Sequence, residues 1–417
     1  MQDEIYGLAR RAKEASYALA GISSVKKNAA LLRMAEGIAA NASLLKGENE
    51  KDLAWARAKG LSTAMIDRLT LNDKVIDAMV SGIREVVSLP DPVGEVVRMW
   101  RRPNGLLVGK VRIPLGVITI IYESRPNVTA DAACLCIKSG NAVILRGGSE
   151  ALHSNQAIVT ILRQSLEIEG IAPESIQMLA TPDRQALYHL LEMEDFIDLV
   201  IPRGGEELIR AVVTNSRIPV IKHYKGVCHI FVDESADFTM AERIVVNAKV
   251  QKPGVCNAVE TLLVHESIAN TFLPHMIRTL EGNHVEIRGC PGVVRIVPHV
   301  KKATEDDWYQ EYLDLILSVR IVPGLDDAVR HINRYGSSHT ESIVTGNYRS
   351  AQTFLRDVNS SVVLVNASTR FNDGNQLGLG AEIGISTTKL HAFGPMGLEE
   401  LTTLKFIVYG DGQVRES

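Results

Sequence analysis

Gly116-Val117-Ile118-Thr119-Ile120-Ile121 is a short apolar run that starts just after Pro114 and precedes a segment with helical periodicity, residues 127–138. A second apolar run, Ala142-Val143-Ile144-Leu145-Arg146, follows soon after that segment. Short apolar strands that alternate with helices are typical of a parallel sheet whose strands are covered on both faces. The stretch therefore predicts the core of a doubly wound α/β sheet.

The alternation continues toward the C-terminus, while the N-terminal part of the chain shows helical periodicity only. Further strands of the first sheet are predicted at Ile176–Leu179, Leu199–Ile201 and Val220–Lys222, and a second series of strands and helices follows Phe238. Two apolar runs around Pro103-Asn104-Gly105 predict a β-hairpin. We therefore expect two α/β domains, and their predicted bounds are 1–93 with 113–238, and 239–396. A separate element is formed by residues 94–112 and 397–417.

The composition of the 417-residue chain limits the classes of function. With 46% hydrophobic and 23% charged residues, it is typical of a globular protein of two or three domains. The net charge of −4 argues against nucleic acid as a partner, and no apolar run approaches the ~20 residues that span a membrane. Five cysteines without paired spacing, and no N-terminal leader, predict a cytoplasmic protein without a metal site.

One of the five cysteines lies where nucleophiles are commonly displayed. Cys256 follows a helical run and the break Lys252-Pro253-Gly254, and it precedes an apolar strand. A cysteine taken alone is more often a small buried hydrophobe, and the patterns around Cys134, Cys136 and Cys228 predict that role for them. The loop position favours Cys256 as the nucleophile.

Two glycine turns follow predicted strands of the first domain. They are Arg146-Gly147-Gly148-Ser149-Glu150 and Arg203-Gly204-Gly205. Backbone N–H groups between a strand and a helix start favour phosphate, so the two turns together predict a dinucleotide site. Glycine pairs also simply make tight turns, and the usual Gly-x-Gly-x-x-Gly pattern is absent.

Several longer stretches resemble the aldehyde dehydrogenase superfamily, and among its members the gamma-glutamyl phosphate reductase family. The resemblance is carried by residues 246–261, 121–127, 322–343, 365–371 and 391–398. It implies an aldehyde-dehydrogenase-like fold, with a cofactor domain, a catalytic domain and an oligomerisation element made of the hairpin and the tail. It also implies a phosphorylating, NADP-dependent glutamate-5-semialdehyde dehydrogenase of proline biosynthesis, which reduces L-glutamate 5-phosphate to the semialdehyde.

The resemblance assigns catalytic roles to particular residues. The Cys256 thiolate would attack the acyl carbonyl, and the Cys256 N–H with an amide side chain would hold the oxyanion. Asn127 is the candidate for that amide, although a residue just after a proline also suits a helix cap. Hydrolytic members carry a base in a Glu-Leu-Gly-Gly-Lys segment, and Lys222-His223-Tyr224-Lys225-Gly226 has no carboxylate at that place. This absence fits an acyl group that is exchanged with phosphate.

The resemblance also assigns binding roles. Arg146, Gly147, Ser149 and Glu150 occupy the place of a Lys-Pro-Ser-Glu segment that contacts the adenosine ribose. The arginine favours NADPH over NADH. Gly204 and Gly205 match the glycine that faces the pyrophosphate, and Glu311 resembles the glutamate that holds the nicotinamide ribose. Arg125 and Arg370 are expected near the substrate anion, although arginines and carboxylates also commonly lie on the solvated surface.

Other readings of the sequence stay open. A hydrolytic or coenzyme-A-acylating semialdehyde dehydrogenase of the same superfamily is one, and a superfamily member without catalysis is another. The hairpin and tail predict a homodimer or homotetramer. A separate glutamate 5-kinase would supply the acyl phosphate, and whether the two enzymes touch is an open question at this stage.

Overall fold

The computed structural model describes residues 2–415, which form two compact units. Unit 1 contains the chain up to Lys222, together with Leu379–Gly384 and the segment from Met396 onward. Unit 2 contains His223–Gly378 and Ile385–Pro395. Within the described residues, no helix has both the length and the apolar character needed to cross a membrane.

Unit 1 begins with a layer of helices, as the periodicity predicts. Side-chain oxygens of Ser23, Ser62 and Asn72 accept hydrogen bonds from the first turns of three of these helices and fix where they start. The helices of unit 1 are α1 (Gln2–Leu19), α2 (Ser24–Ala40), α3 (Ala42–Ala58), α4 (Thr63–Leu69), α5 (Asp73–Ser88), α6 (Asn127–Lys138), α7 (Leu152–Ile168), α8 (Arg184–Leu191) and α9 (Glu206–Asn215).

The first sheet is parallel and its central strand is buried on both faces. Its strands are β3 (Val117–Tyr122), β4 (Ala142–Arg146), β5 (Ile176–Met178) and β6 (Leu199–Arg203), in the order β5-β4-β3-β6. The chain moves outward from β3 to β5 and then returns to the other side of β3, so the carboxyl ends of β3 and β6 flank a topological switch point. The predicted strand Val220–Lys222 is only an isolated bridge between Val200 and Val220.

A three-stranded antiparallel sheet completes unit 1. The predicted hairpin is confirmed as β1 (Val96–Arg101) and β2 (Leu107–Pro114), and Gly105 adopts a φ of 91° in its turn. The C-terminal strand β16 (Thr402–Tyr409) pairs with the other edge of β2. Large apolar side chains of this sheet are exposed, namely Val96, Val97, Met99, Leu404, Phe406, Val408 and Tyr409.

Unit 2 is built on a seven-stranded parallel sheet with the order β10-β9-β11-β8-β7-β12-β13. Its strands are β7 (Cys228–Val232), β8 (Val259–His265), β9 (Glu286–Gly289), β10 (Lys301–Lys302), β11 (Ile316–Val322), β12 (Thr340–Val344) and β13 (Val362–Val365). Its helices are α10 (Phe238–Val250), α11 (Glu266–Gly282), α12 (Pro291–Ile296), α13 (Leu325–Tyr335) and α14 (Tyr348–Asp357). Two short strands, β14 (Gly384–Ser386) and β15 (Gly394–Met396), form a separate two-stranded sheet.

The boundary between the two units differs from the predicted one at residue 238. Strand β7 pairs with β8 and β12 inside the second sheet, so the residues from His223 onward pack with unit 2. The hairpin and tail, which the sequence sets apart, group with unit 1. Strand pairing between distant segments, rather than local composition, decides the assignment of β7.

Candidate active site

Cys256 lies at the amino edge of the second sheet. It sits in the loop between α10, which ends at Val250, and β8, which begins at Val259. The neighbouring strands β7 and β12 begin at the same edge, because all strands of this sheet are parallel. The segment 223–227 and His339, which directly precede these two strands, are therefore brought to the Cys256 loop.

The backbone of Cys256 is held closely by the segment before β7. A Cβ atom added to Gly226 would lie 1.8 Å from the Cys256 carbonyl oxygen, so this approach is open only to glycine. The buried Cys228 thiol donates a hydrogen bond to the same carbonyl, with a distance of 3.1 Å. The Gly226 N–H donates to Glu311 Oε1 at 2.8 Å, which places this carboxylate beside the loop.

Two imidazoles accompany the Cys256 thiol. One side-chain ligand atom from each of His223, Cys256 and His339 lies within 4.8 Å of the other two. The rings of His223 and His339 meet edge to face, with 5.5 Å between their centroids. Cysteine and histidine are zinc ligands as well as acid–base groups, so this cluster can serve either chemistry. His229, by contrast, is bonded to the buried Glu341 and lies outside the cluster.

The two histidines of this cluster differ in their surroundings. His339 is fully buried, and burial lowers the pKa of its imidazole to about 3, with the nearby His223 adding to the effect. The ring is therefore neutral near neutral pH. His223 is half-buried, and its Nδ1 lies 2.9 Å from the Ile385 carbonyl oxygen.

Arg370 contacts both ends of the Cys256 loop. Its Nε donates to Gln251 Oε1 at 2.7 Å, and its Nη1 donates to Asn257 Oδ1. The Asn257 amide in turn donates to the Asn372 carbonyl oxygen at 2.9 Å. Of the two predicted substrate arginines, the structure thus brings Arg370 to the Cys256 loop, while Arg125 is an exposed residue of unit 1.

A buried ion pair closes the base of the same loop. Lys249 Nζ and Glu260 Oε2 are 2.6 Å apart, and neither side chain is exposed to solvent. Lys249 is near the end of α10 and Glu260 is near the start of β8, so the pair joins the two elements that carry the loop. Burial lowers the pKa of the Lys249 ammonium and raises that of the Glu260 carboxyl to about 7, and each partner opposes the shift of the other.

Asn127 lies in unit 1, as the first residue of α6. Its amide donates to Asp131 Oδ2 at 3.1 Å, one turn further along the helix. The two residues line a cavity of about 520 Å³ together with Asn72 and Lys74. The oxyanion role that the sequence predicts for Asn127 remains a prediction.

The predicted phosphate turns lie at the carboxyl ends of the strands in unit 1. Arg146 is the last residue of β4, and Gly204 and Gly205 follow β6. Gly205 precedes the first turn of α9, and its N–H donates to Glu123 Oε2 at 3.0 Å. A carboxylate oxygen at this helix start shows that the position accepts an anionic group.

Arg146 is suited to an anionic ligand. Its Nε is buried and has no hydrogen-bond partner in the structure. Burial lowers the pKa of its guanidinium, and the charge of Arg184 adds to this, while Glu150 opposes it. The Glu150 carboxylate accepts hydrogen bonds from the Ser124 N–H and hydroxyl, both at 2.7 Å. A phosphate group beside Arg146 and Arg184 would satisfy this buried donor.

Gly147 gives further support for a close backbone approach at this turn. A Cβ atom at Gly147 would lie 2.1 Å from Asn155 Nδ2, so no larger residue fits there without a shift. Ser149 starts the short 3-10 helix Ser149–Ala151 that leads into α7. The turn residues named from the sequence are thus where a dinucleotide phosphate could be bound, and they fit such a group.

Sequence reasoning missed His339, Arg184 and Glu123, and it did not select His223. Nothing in the local pattern of His339 marks it, because only the pairing of β12 with β7 brings it to Cys256. Arg184 begins α8, and its position in the sequence after a predicted strand is the one signal that could have indicated it. Glu123 directly follows β3, and ligands of parallel α/β sheets bind at the carboxyl ends of the strands, so this position is a signal present in the sequence.

Comparison with known proteins defines the class first. The family model described as "Aldehyde dehydrogenase family" matches residues 2–313. An acetylating aldehyde dehydrogenase from Geobacillus thermoglucosidasius shares the fold, with a TM-score of 0.69 over 100% of this chain and 98% of that chain at 15% identity. The chain therefore belongs to the aldehyde dehydrogenase family, whose members use nicotinamide cofactors.

More similar relatives narrow the class. "Gamma-glutamyl phosphate reductase" of Geobacter metallireducens is 62% identical over 99% of this chain and 99% of that protein. The crystal structure of gamma-glutamyl phosphate reductase from Thermotoga maritima has a TM-score of 0.98 and 47% identity, over 99% of this chain and 100% of that one. Within the aldehyde dehydrogenase family, the chain thus belongs with the gamma-glutamyl phosphate reductases.

Proposed function

We propose that this chain reduces L-glutamate 5-phosphate to L-glutamate 5-semialdehyde and phosphate through a thioester on Cys256. The observation that carries the proposal is the 62% identity to a gamma-glutamyl phosphate reductase over nearly the whole of both chains. The loop position of Cys256 beside two imidazoles supports its role as the nucleophile. The reaction is that of a phosphorylating semialdehyde dehydrogenase and serves proline biosynthesis.

The protein supplies the acyl-transfer part of this reaction. The Cys256 sulfur forms a bond to the acyl carbon, the bond between that carbon and the phosphate oxygen breaks, and phosphate leaves. Bound NADPH supplies the hydride that reduces the thioester. Because phosphate is the leaving group, no water has to be activated, which agrees with the absence of a carboxylate from the segment 222–226.

The residues proposed to bind the substrate differ in what supports them. Arg370 joins both ends of the Cys256 loop, so its charge lies where an anionic substrate would approach the thiol. Arg125 is proposed on the resemblance alone, as is the Asn127 amide for the oxyanion. Glu311, beside the same loop, is proposed to hold the nicotinamide ribose.

The phosphate requirement tests the proposed function. Reduction of NADP by glutamate semialdehyde should depend strictly on added phosphate, because the thioester is released by phosphate. Turnover without phosphate would indicate a hydrolytic dehydrogenase. Turnover that needs coenzyme A instead of phosphate would indicate an acylating dehydrogenase, and no turnover under any condition would favour a member without catalysis.

Arg146 is proposed to set the preference for NADPH. Charged hydrogen bonds contribute ~1.5–3 kcal/mol each, so Arg146→Ala should lower kcat/KM for NADPH by roughly 10- to 100-fold and change that for NADH far less. Arg146→Lys keeps the charge but loses the bidentate geometry of the guanidinium. An intermediate ratio of kcat/KM for NADPH to kcat/KM for NADH is therefore expected. Steady-state kinetics with both cofactors measure the ratio, and an unchanged ratio in Arg146→Ala would contradict the assignment.

The antiparallel sheet of β1, β2 and β16 is proposed to join copies of the chain into a homodimer or homotetramer. Its exposed apolar residues, with Phe406 61% and Tyr409 60% exposed, suit burial against a second copy. Both outer strands also offer edges for pairing.

A contact with the glutamate 5-kinase that supplies the acyl phosphate is also proposed. An acyl phosphate hydrolyses in water, so the amount lost grows with the time that it spends in solution, and a contact between the two enzymes would shorten that time. Cytoplasmic residence is proposed because none of the five cysteines forms a disulfide.

A further inference from the structure

We infer that His223 accepts the proton of the Cys256 thiol, and that His339 stays neutral beside this pair. The inference rests on the proposed function, since it assigns the base for the acyl-transfer step of that reaction. The proton acceptor is thus assigned to an imidazole that the structure places in the same cluster as the Cys256 thiol.

The first argument is the position of His223. Its ligand nitrogen lies within 4.8 Å of the Cys256 sulfur. This places the imidazole beside the thiol, and contacts in ligand-free sites commonly shorten further when substrate binds. The close approach of Gly226 to the Cys256 backbone fixes the two segments against each other, so the imidazole and the thiol remain neighbours.

The second argument is the tautomer of His223. Nδ1 lies 2.9 Å from the Ile385 carbonyl oxygen, and a carbonyl can only accept a hydrogen bond. Nδ1 therefore carries the hydrogen, and the lone pair of the neutral ring is on Nε2. The same N–H donates when the ring is charged, so the carbonyl stabilises the imidazolium that forms.

The third argument is the unsuitability of the other groups. His339 is fully buried, its Nδ1 is paired with Thr340 Oγ1 at 2.6 Å, and its buried Nε2 has no hydrogen-bond partner to stabilise a charge. Lys225 donates to the Tyr309 carbonyl oxygen, and Glu311 accepts from Gly226. Lys222 and Tyr224, beside His223 in the chain, complete the titratable groups of this segment.

The chemistry of the step balances without a further reactant. The S–H bond of Cys256 breaks as an N–H bond forms at His223 Nε2, and the thiolate attacks the acyl carbon. The bond to phosphate breaks as the thioester C–S bond forms, and the proton held by His223 leaves with the phosphate. Neither sulfur nor nitrogen changes its oxidation state.

The pH dependence of thiol alkylation tests this inference without substrate or cofactor. Iodoacetamide reacts with the thiolate, and the modified peptides containing Cys256 and Cys290 are quantified separately by mass spectrometry. His223→Asn keeps an amide N–H that can reach Ile385 but lacks Nε2, and His223→Gln is a second variant. Each variant should lower the alkylation rate of Cys256 near pH 7 by about tenfold. The pH at which this rate is half its maximum should move toward the ordinary thiol pKa of ~8.5.

Controls separate the alternatives. The rate at Cys290, which lies outside the cluster, should be the same in all proteins, and His339→Gln should leave the Cys256 midpoint in place. Unchanged profiles in both His223 variants would overturn the inference, and so would a midpoint shift in His339→Gln alone. A rate that rises when a chelator is added would show that the cluster binds a metal instead. If the parent protein turns over only with phosphate but the pH profile of Cys256 alkylation is unchanged in the His223 variants, only this inference fails. If that profile shifts but the parent protein shows no turnover, only the proposed function fails.

Discussion

Cys256→Ala is expected to abolish phosphate-dependent turnover, with a loss on the order of 10⁴-fold or more in kcat. Removing a nucleophile eliminates the covalent route, and the residual rate comes only from groups that bind and orient the substrate. Reduction of NADP by glutamate semialdehyde in the presence of phosphate measures the loss. The binding of NADPH, followed by fluorescence, should change little, because the turns that carry Arg146 and Gly205 belong to unit 1.

Cys290→Ala is the matched control for this substitution. Both thiols are partly exposed, but Cys290 directly precedes α12 and is absent from the group formed by Cys256 and the two histidines. Its loss should change kcat by less than about twofold, an effect that corresponds to under ~0.5 kcal/mol in the barrier. A Cys256→Ala protein that retains kcat within about tenfold of the parent would contradict the assignment of the nucleophile.

Lys249→Met is expected to destabilise the protein by about 3–5 kcal/mol. The substitution leaves the Glu260 carboxyl fully buried without its partner, so it must either stay ionised and unpaired or take up a proton and lose its charged hydrogen bond, and both outcomes cost stability. Denaturant unfolding of unit 2, followed by a probe in that unit, measures the change. Because Lys249 and Glu260 also carry the two ends of the Cys256 loop, kcat should fall in parallel.

The double variant Lys249→Met/Glu260→Met separates charge from packing. Removing both charges should recover most of the stability that the single substitution loses, because no unpaired ion remains. The exposed pair of Lys51 and Glu48 offers a control, and Lys51→Met should cost no more than about 1 kcal/mol. A double variant that is less stable than Lys249→Met would contradict this expectation. It would show that the attraction between the two charges stabilises the protein by more than their burial costs.

Local signals in the sequence were sufficient for much of the fold. Apolar runs and helical periodicity predicted β3, α6 and β4, and the Pro-Asn-Gly turn predicted the hairpin, because these features depend on neighbouring residues. The segment Val220–Lys222 has strand-like composition, but it forms one bridge only. Residues 223–238 belong to unit 2 rather than to the predicted first domain, because pairing with β8 and β12, rather than composition, determines where β7 belongs.

The loop position of Cys256 and the positions of the glycine turns were predictable from the sequence, whereas the two histidines beside Cys256 were not. Cys256 and Arg146 lie next to a loop or a strand end that the sequence itself reveals. In contrast, His339 reaches Cys256 only through the strand order β8-β7-β12. The rule that ligands lie at carboxyl ends also pointed away from this cluster, since all three segments precede their strands.

The separation along the chain of the segments around Cys256 affects when the surroundings of its thiol form during synthesis. A ribosome adds residues from the N-terminus, so Cys256 emerges after His223 but well before Ile385. Until Ile385 is made and its carbonyl oxygen accepts from His223 Nδ1, the imidazole proposed as the base is not held in place, and we expect the thiol to behave as an ordinary cysteine. We therefore expect the Cys256 thiol to become activated only once most of unit 2 has been made and folded.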